Sequence, residues 1–191
     1  MLNLRQRVDR LTDYDARVLL DYMKPADAPL LFSYTQDPEI YDFMPWSAPA
    51  SVEESRELIA ELSRRAELNL SCDFAIRRKE DMLFMGVISL ADINFRYAHA
   101  EIGYWLARNF WGNGYMYEAQ VLIMNFALDE LGLHRLTARI SPRNKRSIKT
   151  IERLGFKFEG TMRDEAFWKG EFHTHNLYSF LSTDYRPKLK P

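Results

Sequence analysis

The strongest constraint on this chain lies between residues 100 and 132, where the residue period changes in mid-course. Residues 100–106 read as a strand, and a loop containing Gly112 and Gly114 follows. Beyond it Val121, Met124, Leu128 and Leu131 fall on one helical face, and Gly132 stands where a helix-ending glycine belongs. Glycines let such a loop turn tightly with its N–H groups inward, and the next helix adds unpaired N–H groups and a positive dipole end. The loop is therefore either a plain structural turn or an anion cradle sized for phosphate.

The rest of the chain fits a mixed α/β sheet rather than a regular βαβ alternation. Residues 18–20, 74–76, 84–90, 136–140, 156–158 and 177–181 read as strands, and 25–35 as helical with Pro29 near its start. Asp37-Pro38 opens a short helical turn, and Ser51 with Glu54 has the form of a capping box before a helix carrying Leu58, Ile59 and Leu62. Residues 144–154 predict a second glycine-ended helix with Ile148, Ile151 and Leu154 inward. Leu4, Val8 and Leu11 suit a short helix or arm over residues 1–15. A domain over 16–184 and a solvated tail over 185–191 complete the expected layout.

At 191 residues, 47% hydrophobic and 14% aromatic, the chain has enough apolar mass for one domain. Its 26 Lys+Arg against 27 Asp+Glu argue against a surface built for nucleic acid or anionic membrane. The longest apolar stretches fall far short of the ~20 residues that span a bilayer. The start carries no secretion signal, so a cytoplasmic protein is expected. One cysteine, Cys72, rules out an internal disulfide and a cysteine-built metal site. His173 and His175 alternate on a strand, but nothing beside them in sequence completes four ligands, so no metal is expected.

Two familiar phosphate sites do not fit the glycine loop. No G-x-x-x-x-G-K-[ST] is present, and a full G-x-G-x-x-G fails at Tyr117. A second signal follows at Asn144 and Ser147, three apart at a helix start. Asn144 is either a helix cap or, with Ser147, part of a surface facing a ligand at the helix N-terminus. Around them Arg135, Arg139, Arg143, Lys145, Arg146, Lys149, Arg153 and Lys157 meet only Glu152 of opposite sign. Such a run is a solvated face or a holder for a terminal phosphate.

These motifs, in this order, resemble the GNAT superfamily of N-acetyltransferases and its RimJ/RimL-type branch. Trp111, Gly112, Asn113, Gly114, Tyr115 and Met116 match the branch's pyrophosphate loop, and Asn144-x-x-Ser147 with Leu154-Gly155-Phe156 matches its second motif. Residues 23–28, 37–46, 160–170 and 177–179 also fit, so the likeness runs over about residues 18–183. It implies a GNAT fold: one domain with a central, mostly antiparallel, splayed sheet flanked by helices. It also implies acetyl-CoA as donor, held through main-chain amides of 111–116. Its pantetheine arm would lie along Leu106, Ala107 and Arg108, with Asn144 touching the cofactor and Ser147 near its sulfur. Trp111 and Met116 depart from the superfamily's residue types, which puts side-chain roles there in doubt.

The resemblance further implies transfer to a primary amine in a ternary complex, first of all a protein N-terminal α-amine of the ribosomal type. A polyamine, an amine antibiotic, an aminoacyl-nucleotide, or a non-catalytic acyl-CoA sensor are the alternatives, and a homodimer stays open. Ser147 would relay a proton to sulfur, and a backbone N–H near Leu106 would face the oxyanion. Glu101 stands where histone-type members carry their base. Ala166 replaces a glutamate assigned in one ribosomal member, with Glu165 next door and, if the segment is extended, facing the other way. Ordered water is the third option for the base. Met44, Trp46, Phe167 and Trp168 are the acceptor-side aromatics and sulfur, or simply core cover. An α-amine near pKa ~8 is ~10% neutral at pH 7, whereas a lysine near ~10.4 costs roughly 4–5 kcal/mol to deprotonate. A site without an unambiguous base therefore suits the α-amine.

Overall fold

The computed structural model describes residues 4–184; the expected tail over 185–191 and the first three residues lie outside the described residues. In chain order the elements are α1 (Leu4–Arg7), β1 (Arg10–Leu11), β2 (Val18–Tyr22), α2 (Ala28–Thr35), α3 (Pro38–Tyr41), α4 (Val52–Glu67), β3 (Cys72–Arg78), β4 (Phe84–Asn94) and β5 (His99–Leu106). Then come α5 (Tyr115–Asn125), β6 (Arg135–Ile140), α6 (Lys145–Arg153), β7 (Lys157–Trp168) and β8 (Glu171–Leu181).

The eight strands of the described residues form one sheet in the order β1-β2-β3-β4-β5-β6-β8-β7. Every neighbouring pair is antiparallel except β5 with β6. That parallel pair joins only His99–Glu101 to Arg135–Thr137, although β5 runs on to Leu106 and β6 to Ile140. Past Glu101 and Thr137 the sheet opens.

Side chains alternate across a strand, so the register sorts them onto two faces. One carries Leu20, Phe74, Ile76, Ile88, Leu90, Ile102, Leu136 and Phe180, which pack with Ile123 of α5, Phe126 just beyond it and Ile151 of α6; Leu4, Val8 and Leu11 join this core. The other presents Ala75, Val87 and Trp105 to Leu31, Ile40 and Ile59 of α2, α3 and α4. Farther along, that second face turns polar, with Glu101, Thr137, Arg139 and His175.

Several local expectations change in three dimensions. The helix through Val121 and Met124 loses α geometry at Phe126 and continues to Glu130 as a π turn, closed by Leu131 N–H on the Phe126 carbonyl (3.0 Å). The wider turn buries Phe126, Ala127 and Leu128 in succession, continuing the buried run of residues 119–124 in α5. Gly132 then ends it in the left-handed region at φ 67°. Residues 25–27 form a 3-10 turn before α2 rather than its first turn. Ser51 caps α4 through the Glu54 N–H (3.1 Å), but Glu54 reaches back to Ala50 N–H, one residue earlier than a capping box requires. The two short final strands are instead a long hairpin. Lys169 and Gly170, at φ 51° and 80°, form its two-residue turn.

Candidate functional site

The glycine loop sits where β5 ends, at the mouth of the opening. Ala107 donates its N–H to Met85 (2.8 Å), so by strand alternation the Leu106 N–H faces away from β4, towards the gap. The Trp111 indole N–H is bonded to the Leu106 carbonyl (2.7 Å), which ties the loop to the strand. Gly112 and Gly114 have φ of 79° and 83°, values that carry strain for any side chain, and Gly114 is the N-cap of α5. The Asn113 side chain is spent inside the loop on the Phe110 and Trp111 carbonyls. Tyr115 and Met116 pack against the main core. What the loop offers an anion is main chain, with the N-terminus of α5 behind it.

Arg17, just before β2, holds this loop in shape. Its Nη2 donates to the Asn113 carbonyl (2.7 Å), its Nε and backbone N–H donate to Glu118 (2.7 Å each), and its guanidinium lies 4.8 Å from the Tyr115 ring centre. Sequence reading missed Arg17 because its partners lie about a hundred positions away.

Across the gap, Asn144 and Ser147 stand at the start of α6. Asn144 Oδ1 accepts the Ser147 N–H (3.1 Å), so Asn144 caps α6. Ser147 Oγ meets the Tyr104 hydroxyl of β5 at 2.7 Å. Burial pushes the Tyr104 phenol up to about 12, against the pull of its Ser147 contact, so it stays protonated. Fully buried Gln120 of α5 brings its amide beside the same hydroxyl without closing a hydrogen bond. Tyr104 went unread in the sequence.

On the polar face Glu101 and Glu165, proposed separately, converge on one cation. Arg139 lies 2.6 Å from Glu101, 2.9 Å from Glu165 and 3.6 Å from Asp92. An extended strand would have turned Glu165 away from Ala166. Instead the register slips between Met162 and Ala166, with Asp164 in the left-handed region at φ 50°, and the bulge re-aims Glu165 onto this face. There it also bonds His175 Nδ1 (2.6 Å). Burial alone would raise the Glu165 carboxyl; hydrogen bonds from His175 and Arg139 outweigh it and hold the group below the usual carboxylate range.

The hairpin tip arches to the α3 side, where Lys169 Nζ donates to the Tyr41 carbonyl (2.7 Å). Met44 and Trp46 pack on the second cluster. Trp168 stacks on His173 at 3.7 Å between ring centres, and its buried indole N–H has no partner among the described residues. Phe167 is turned to the opposite face, 63% exposed and edge-on to Phe172, so the structure does not bring it to the others. Arg108 and Arg146 both pair with Glu39 of α3, at 2.9 and 3.2 Å, and Arg146 also lies over Trp111. The basic run is thus no single face. Arg135 pairs with Glu159 and Lys157 with Asp184, while Arg143 just before α6 and Lys145 and Lys149 on it have no ion-pair partner among the described residues. No cluster of three or more metal-ligating side chains occurs among the described residues.

Comparison with known proteins agrees with this architecture. Residues 17–157 match the acetyltransferase (GNAT) domain. An uncharacterized N-acetyltransferase, p20, of Bacillus licheniformis is 32% identical over 174 residues, covering 91% of this chain and 98% of its own. The ribosomal protein uS5-alanine N-acetyltransferase of Escherichia coli is 28% identical over 115 residues, 60% of this chain and 59% of its own. The microcin C7 self-immunity acetyltransferase MccE, solved with acetyl-CoA and AMP, superposes with a TM-score of 0.78. It is 25% identical, over 86% of this chain and 92% of its own.

Proposed function

The chain belongs to the GNAT acetyltransferase family, and from that premise we propose that it acetylates the α-amine of a protein N-terminus, with acetyl-CoA as donor. The observation that carries the reading is the opening between β5 and β6 with the glycine loop at its mouth. Gly112 and Gly114 carry no side chain and the Asn113 side chain is bonded inside the loop, so what these residues can offer a diphosphate is main chain, and the residues present fit the donor. Bound there, acetyl-CoA supplies an activated acyl group as its thioester. The Leu106 N–H, turned into the gap, suits the oxyanion. Ser147, bonded to a protonated Tyr104, can pass a proton to the departing sulfur.

On the acceptor side Glu101, Glu165 and Asp92 outnumber the one guanidinium of Arg139, which favours a cationic amine. Both glutamates are engaged by Arg139, and this supports an amine that needs little help to lose its proton. The uS5-alanine relative points the same way. A second acceptor class, an aminoacyl-nucleotide or other small amine, draws on the likeness to MccE and its bound AMP. The buried thiol of Cys72, pushed up to about 12 by burial, suits the reducing cytoplasm in which we place the enzyme.

Thiol release from acetyl-CoA measured on an N-terminal peptide, a lysine-only peptide with blocked N-terminus and spermidine tests the acceptor. At pH 7 the N-terminal peptide is expected to lead by at least about 10-fold in kcat/KM, reflecting its larger neutral fraction. A lysine or spermidine preference would refute the α-amine, and tight acetyl-CoA binding with no release on any amine would mark a sensor. Ser147→Ala is expected to lower kcat about 100-fold while acetyl-CoA affinity holds within a few-fold. An unchanged kcat would remove Ser147 from the proton path.

A further inference from the structure

Resting on that reading, we propose that His175, oriented by Glu165, takes the proton from the acceptor ammonium. Three independent features place it there. The first is position. Ile140 pairs with Asn176, so His175 lies one step beyond the end of β6. Carrying the parallel register of Glu101 with Thr137 forward aligns Trp105 with position 141, so His175 stands level with the end of β5, where the sheet is open. His175 shares its face with Arg139, the face that carries the carboxylates.

The second is orientation. His175 is buried, and its Nδ1 is fixed on Glu165 at 2.6 Å, while Trp168 stacks beside it at 5.3 Å between ring centres and 19°. A carboxylate on Nδ1 sets the tautomer that leaves Nε2 as the acceptor, and Nε2 has no hydrogen-bond partner among the described residues. The third is the bulge. A regular β7 would turn Glu165 off this face; the slip at 163–165 and the left-handed Asp164 exist at the position that puts a carboxylate behind the imidazole. Glu101 and Glu165, by contrast, are both held by Arg139, and a proton on either would break that pairing.

In the step itself, His175 Nε2 takes one proton of R–NH3+. The freed lone pair forms the C–N bond at the thioester carbonyl as the C=O pair moves onto oxygen. That pair then returns, the C–S bond breaks with its electrons on sulfur, and a second nitrogen proton reaches the thiolate along the Ser147 path. The products are R–NH–acetyl, the free thiol and an imidazolium that releases its proton to water. The charged and titratable groups around the imidazole are Glu165 on β7, Arg139 on β6 with Glu101 of β5 and Asp92 of β4 behind it, and His173 with Glu171 on β8 itself.

The experiment compares wild type with His175→Gln and Glu165→Gln on an N-terminal peptide from pH 6 to 9, with acetyl-CoA binding followed by calorimetry. For His175→Gln, kcat/KM is expected to fall about 100-fold at pH 7. The deficit should shrink at least tenfold at pH 9, where the amine is already neutral, and acetyl-CoA affinity should stay unchanged. For Glu165→Gln, which keeps the side-chain shape, kcat/KM at pH 7 is expected to fall about 10-fold with acetyl-CoA affinity unchanged, the deficit again shrinking toward pH 9, because the imidazole loses the carboxylate that fixes its tautomer. This variant decides the matter if His175→Gln does not fold. A wild-type profile in either folded variant, or a deficit equal at pH 7 and 9, overturns the proposal while leaving the acetyltransferase reading intact. Absence of thiol release by wild type on every amine overturns both.

Discussion

Arg77→Met is expected to lower the stability of the fold by about 3–5 kcal/mol, seen as a drop in the urea midpoint. Arg77 is 5% exposed, and its guanidinium donates through Nε to Asp21 and through both terminal nitrogens to Asp27 (2.9 and 2.8 Å). Asp21 and Asp27 are themselves 4% and 7% exposed. Burial alone would lower the guanidinium's proton affinity; the two aspartates outweigh it, so the group is a fixed cation. Methionine fills much the same volume but leaves two desolvated carboxylates uncompensated by it, Asp21 with the Lys24 ammonium at 3.1 Å, itself largely in water, and Asp27 with the Lys24 backbone N–H at 2.7 Å. An uncompensated buried charge costs far more than the pair was worth, so the sign is not in doubt. Adding Asp21→Asn and Asp27→Asn to the same chain should recover most of the loss. A loss under about 1 kcal/mol for Arg77→Met alone would mean the carboxylates reach water or take up protons at little cost. The cluster joins β3 to β2 and to the turn before α2, so partial unfolding should free α2 and α4 before the face that holds α5.

The parts of the site legible in the sequence are those whose chemistry is local. Gly112 and Gly114 announce a loop because only glycine tolerates those backbone angles, and Asn144 announces a helix start because a short polar side chain can reach the N–H three residues on. Strands buried on both faces, such as β3 and the first half of β4, show in their apolar runs. The hairpin did not. β7 is an edge strand with mostly exposed residues, and Lys169-Gly170 is a weaker turn signal than Asn-Gly, so residues 159–176 offer little alternation to read. What escaped entirely is pairing at long range. Tyr104 meets Ser147 across 43 positions, and Arg17 meets Glu118 across 101. Glu165 reaches Arg139 and His175 only because a bulge breaks the period-two rule by which its direction had been inferred. The basic run read as one face for the same reason, since its partners arrive from α3, β5, β7 and the chain beyond β8. Periodicity reports which way a side chain points in a regular element, and it is silent where the element is irregular.

Gly86→Ala is expected to weaken both the fold and the hold on acetyl-CoA, and the cause is a single atom. A Cβ at Gly86 would stand 2.3 Å from the Trp105 carbonyl oxygen and 2.8 Å from Leu106 Cα, both main-chain atoms that no side-chain rotation can move aside. β5 must therefore retreat from β4 at the residue whose N–H is turned into the gap and whose carbonyl anchors Trp111. Overpacking of this kind costs about 2–3 kcal/mol. The displacement should also carry the glycine loop with it, so acetyl-CoA affinity is expected to fall at least about 10-fold, or ~1.4 kcal/mol. Gly103 lies on β5 as well, but a Cβ there meets nothing within 4 Å. Gly103→Ala should leave the urea midpoint within about 0.5 kcal/mol of wild type. Strand propensity is nearly the same for the two substitutions, so a difference between them isolates the close approach at Gly86. Equal midpoints and equal calorimetric affinities for the two variants would show that β5 yields freely at Trp105, and a strand that yields there could not fix the Leu106 amide for an oxyanion.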